Sequence, residues 1–117
     1  MSENSRIISR VKNGELSICN DCKIYNLIYN NIFFQFNKEQ LHQFKEYLTK
    51  IDIEYWLTFN SSTTQKRKIP IATFHKNLIL IFNYHEIEEL KILLGIIKVK
   101  LKPIINTADI DYTLILN

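Results

Sequence analysis

The sequence predicts an α+β domain in which two ββα units form an antiparallel sheet, with both helices packed on one of its faces about a pseudo-two-fold axis. Three observations carry that expectation. Residues 31–51 and 77–97 repeat one pattern at an offset of 46 positions, 77 minus 31, and internal self-similarity constrains architecture before any single residue does. Each copy opens on an apolar run, Ile32-Phe33-Phe34-Gln35-Phe36 and Leu78-Ile79-Leu80-Ile81-Phe82, too short for a typical helix and so read as a strand. Each run ends in Asn with a long polar side chain three positions on, Asn37 with Gln40 and Asn83 with Glu86. That is a capping box: the Asn side chain takes a first-turn amide proton, and the Gln or Glu reaches back to the Asn amide.

Residues 1–13 are polar and unpatterned and are expected to be a flexible lead-in. Strands are expected over 15–18 and 23–29, with Cys19-Asn20-Asp21-Cys22 between them. Asn30 and Asn31 can supply the positive φ of a tight hairpin turn without Gly. After the first cap, Leu41, Phe44, Leu48 and Ile51 recur at helical spacing, while Glu39, Lys45, Glu46 and Lys50 fall on the other side. Such a stripe marks a helix with one buried face.

The second unit starts with a strand over 68–74, where Pro70 argues for a sheet edge or a bulge, and turns at His75-Lys76-Asn77. Ile87, Leu90, Leu94 and Ile97 then line the second helix, with Glu86, Glu88, Glu89 and Lys91 expected toward solvent and Gly95 stopping or bending the helix. The single domain spans 14–102, with repeat 1 at about 22–51 and repeat 2 at about 68–97. Residues 103–117, opened by Pro103, form an appendage in which 110–116 supply a possible extra strand.

Composition sets outer limits. The chain has 117 residues, 46% apolar and 23% charged, the profile of an ordinary globular domain able to bury a core without disulfides or a structural metal. Two Gly in all argue against a Gly-rich phosphate loop. No apolar run reaches bilayer length and the amino terminus lacks a signal-peptide pattern, so no membrane role and a cytoplasmic location are expected. A net charge of +3 does not by itself select an anionic partner.

Cys19 and Cys22 are the sharpest local motif. Two thiolates on one turn can share a zinc ion, with His42, His75 and His85 as the remaining donors, none at finger spacing. A dithiol–disulfide cycle is a rival reading, weakened because the motif precedes a strand rather than a helix amino terminus; inert turn cysteines are the bland one. Lys66-Arg67-Lys68 follows the polar stretch 60–65, and Lys98, Lys100 and Lys102 alternate with Val99 and Leu101. With exposed tyrosines such as Tyr25 or Tyr29 this set could hold a phosphate backbone and stack bases, or simply solvate an edge strand. Phe33, Phe34, Phe36 and Phe44 are expected in the core. Tyr55-Trp56 has no counterpart in the second repeat and is expected either to cap the core or to line a partner surface. No nucleophile motif, paired His or phosphate loop is present, and Asp109 with Asp111, like the first-turn glutamates, need no chemical explanation. The sequence reads as non-enzymatic.

The order of CxxC, hairpin, capped helix, Trp segment, basic hairpin and second capped helix, with Cys19, Cys22, Asn31, Phe36, Trp56, Arg67, Lys68 and Leu90 as its marks, resembles an uncharacterised family of small bacterial proteins of unknown function. The resemblance covers roughly residues 14–94 and implies no activity. The sequence therefore favours a cytoplasmic protein-interaction or regulatory module that engages a protein partner by strand addition or helix docking, with Tyr55, Trp56, Lys66, Arg67 and Lys68 at the rim. Its rivals are a zinc-binding domain using Cys19 and Cys22, and a nucleic-acid binder using Lys66, Arg67, Lys68, Lys98, Lys100 and Lys102. Edge pairing into a homodimer stays open.

Overall fold

The computed structural model describes residues 4–98, ordered β1 (Ser5–Val11), β2 (Gly14–Cys19), β3 (Tyr25–Tyr29), β4 (Ile32–Phe36), α1 (Lys38–Lys50), α2 (Ile53–Phe59), β5 (Ile69–Ala72), β6 (Ile79–Phe82) and α3 (Tyr84–Leu93). The class is α+β. Strands β1 to β4 make an antiparallel meander in sequence order, and β5 pairs with β6 in a second, two-stranded sheet. Residues 99–117, which include Lys100, Lys102, Asp109, Asp111 and the extra strand expected at 110–116, lie outside the described residues.

Local signals act where the sequence places them. Asn37 Oδ1 accepts from the Gln40 amide at 2.8 Å and Gln40 Oε1 from the Asn37 amide at 2.9 Å. Asn83 and Glu86 repeat the exchange at 2.8 and 2.9 Å. Asn30 takes φ 52° in the two-residue turn between β3 and β4. At the far end of α3, Gly95 sits at φ +77°; its amide bonds to the Ile92 carbonyl and that of Ile96 to the Lys91 carbonyl. This 5→2 and 6→1 pair is a Schellman termination, so Ile97 falls beyond the helix rather than on its buried face.

Other expectations need correction. The lead-in over 1–13 is not unstructured throughout, because Ser5–Val11 form β1 against β2. A bulge between Ile7 and Ser9 breaks the alternation, and only Val11 of the strand is buried. An edge strand held by backbone bonds rather than side-chain burial leaves no apolar period to read.

The second hairpin does not join the first sheet. Rings rather than ladder bonds bridge the two: Phe74 meets Phe36 edge-on at 6.3 to 6.4 Å between centroids, as Phe82 does Tyr29. Strands in one sheet lie about 4.8 Å apart, and side chains of this size do not fit between them. Helix α3 nevertheless crosses back to contact β1 and β2, while α1 contacts β4 and α3. The core is thus shared, with Leu16, Leu27, Tyr29 and Phe36 from the sheet meeting Leu41, Phe44, Leu48, Ile87, Leu90 and Leu93 from the helices.

Phe33, expected inside, is 56% exposed, because it lies on the outer side of β4 from Phe34 and Phe36. Conversely Glu86 and Glu89, expected toward solvent, are buried, and so is Tyr29. Each of these polar groups has a partner supplied from a distant part of the chain.

Candidate functional site

Helix α2 meets the core through Ile53 and Trp56, both only partly buried. Asp52 caps it by accepting from the Tyr55 amide at 3.0 Å, and none of its seven residues is buried although five are large and apolar. Tyr55 and Phe59, one turn apart, are 51% and 64% exposed and stack at 5.6 Å with planes 17° apart. Trp56 meets both rings edge-on, at 5.0 and 5.8 Å, and turns its other side to the core. The result is a rigid three-ring ridge, since each ring limits the rotamers of the next. Phe59 was missed from the sequence; its i+4 relation to Tyr55 was the available signal.

The basic segment splits in two. Asn60, the last turn's C-cap, donates its side-chain amide to the Lys68 carbonyl at 2.8 Å, and Lys68 Nζ reaches the Ser61 carbonyl at 3.4 Å. Lys68 therefore stands beside the ridge, and Lys66 is exposed on the same loop. Arg67 turns away. Its Nε lies 2.8 and 3.1 Å from the two Glu86 oxygens and its Nη2 2.7 Å from Oε2, a bidentate clamp on a carboxylate that already serves the α3 capping box. Burial pushes the Glu86 carboxyl up, but the Arg67 guanidinium and the Asn83 amide outweigh it and hold the group below the usual carboxylate range. Arg67 thus spends its Nε and Nη2 protons on Glu86, while its side chain stays 52% exposed. Lys98 is exposed.

At the β2–β3 turn, Cys19 is buried and Cys22 exposed. The Cys22 amide donates to Cys19 Sγ at 3.3 Å, and the hydrogen bond between the two thiols, followed by burial, pushes the Cys22 thiol up. The turn also grips the start of β1: the Asn20 amide and side chain donate to the Asn4 carbonyl at 3.2 and 2.7 Å. His42 pairs with Glu46 on α1, and no group of three or more His, Cys, Asp or Glu gathers among the described residues. Two sulfurs fill half of a zinc shell, and no residue described here completes it.

A cavity of about 210 Å³ opens where β4, α1 and the end of β5 meet, lined by Phe34, Phe36, Gln43, Phe44, Tyr47, Ala72, Thr73 and Phe74. Phe36 stacks on Phe34 and on Phe44 at 5.2 Å, and Phe34 tilts toward Phe44 at 5.4 Å. Tyr47 ties α1 to β5 by accepting the Ala72 amide proton at 3.0 Å. At the other end of the same strands, residues 30–32 and β6 flank a wider groove of about 470 Å³, beside which Ile79 and Ile81 are exposed. No helix among the described residues is long and apolar enough to cross a membrane.

The family described as a family of unknown function (DUF6686) matches the chain over residues 1–117. Neither the comparison with curated proteins nor that with solved structures gave a match.

Proposed function

We propose, from the premise that the chain belongs to the family of unknown function DUF6686, that this protein is a non-catalytic interaction module of the cytoplasm whose contact surface is the α2 ridge. The observation that carries the reading is a helix with no buried residue and three mutually packed rings. Exposed aromatic side chains that are already ordered lose little entropy on binding, and clusters of them dominate protein interfaces. Lys66 and Lys68 at the rim favour a partner whose apolar pocket has an acidic border. Cys19 and Cys22 at the β2–β3 turn stand as thiols rather than as a disulfide, which supports a reducing compartment.

The test replaces both outward rings, Tyr55→Ser with Phe59→Ser, and compares partners recovered from a native lysate by quantitative mass spectrometry. Because neither ring is buried, the melting curve should stay close to wild type while a specific partner disappears. Identical recoveries from both proteins would sink the assignment.

A further inference from the structure

The cavity between β4, α1 and β5 has a chemical character of its own. Its volume is about 210 Å³, against about 150 Å³ for an apolar protein cavity that takes up benzene. One substituted ring or a fused pair of rings fits that space. None of its eight lining residues carries a charge, so an ionised ligand would lose hydration with no counter-charge in return. Phe34, Phe36 and Phe44 lie at 5.2 to 5.4 Å from one another, presenting faces and edges to which another aromatic ring adds in the same offset manner.

Polar groups at the margin add direction. The Tyr47 oxygen is occupied by the Ala72 amide, and the phenolic proton has no acceptor among the described residues. The Gln43 amide likewise has no partner among them. Each can donate to an acceptor on a ligand.

The geometry points to a binding site for a neutral aromatic small molecule of one or two rings with a carbonyl-type acceptor at its edge. The site is separate from the α2 ridge and does not depend on it.

Titration of the labelled full-length chain with benzamide, followed by amide and methyl NMR shifts, tests this directly. Shifts should concentrate on Phe34, Phe44, Tyr47 and Ala72. Benzoate should produce none, and cyclohexanecarboxamide should bind several-fold more weakly. Tyr47→Phe should weaken benzamide about tenfold, the equivalent of one hydrogen bond, and leave toluene unchanged. Ala72→Phe, which fills the space, should abolish both. Absence of shifts at these residues up to the solubility limit, or benzoate binding as well as benzamide, overturns the proposal on the wild-type chain alone. Undiminished binding by a folded Ala72→Phe variant also overturns it.

Discussion

Tyr29 on β3 donates its phenolic proton to Oε1 of Glu89 on α3, 60 positions later, and both side chains are closed to solvent. The same oxygen accepts from Asn13 at 2.8 Å, while Oε2 has no partner among the described residues. A polar tie of this kind fixes how α3 sits on the first sheet, because any slide of the helix strands a buried acid. Tyr29→Phe should therefore cost about 1–3 kcal/mol, read from urea denaturation. A loss within error would show that the tie holds no stability.

Alkaline pH should act through the same pair. Burial, then Glu89, pushes the Tyr29 phenol above its ordinary value of 10.0. The folded chain then keeps a proton that the unfolded chain has lost, so stability is whole below about pH 10 and falls as pH rises beyond it. The urea midpoint should drop as pH rises above about 10 in wild type and drop less in Tyr29→Phe. Parallel curves would contradict this.

The Arg67–Glu86 clamp has the opposite sign. Glu86 is held below its ordinary value of 4.5, so its contribution is present above that pH and is lost as pH falls through the depressed value. Glu86→Gln should melt lower than wild type near about pH 7, with the gap closing toward about pH 3. A gap independent of pH would mean that capping, not charge, matters at this position.

The two capping boxes are not equal. Asn37→Ala should cost about 1 kcal/mol, within the usual range for a lost N-cap. Asn83→Ala should cost about 2 kcal/mol, the upper end of that range, since the Glu86 amide that its side chain satisfies is part-buried, whereas the Gln40 amide is exposed to water. Thermal melts of the two variants side by side decide the order.

Gly14 opens β2 where a Cβ would stand 2.4 Å from the Ile28 carbonyl oxygen and 2.9 Å from Tyr29 Cδ1. The first contact is backbone and cannot swing away. Gly14→Ala should destabilise by about 1–3 kcal/mol through overpacking. A neutral melt would show that β3 yields more readily than its pairing implies.

What the sequence determined by itself was local. The Asn37–Gln40 and Asn83–Glu86 boxes, the buried row Leu41, Phe44 and Leu48, the positive φ at Asn30 and the stop at Gly95 each follow from interactions within a few residues. Tertiary structure decided the rest. Whether β6 would ladder onto β4 depended on rings from Phe36 and Phe74 meeting across the gap, and β1 depended on a backbone partner in β2. Polar patterning placed Glu86 and Glu89 outside; Arg67, Tyr29 and Asn13 brought them in. The physical reason is that burial of a charge is fixed by partners far along the chain, and no local period encodes them.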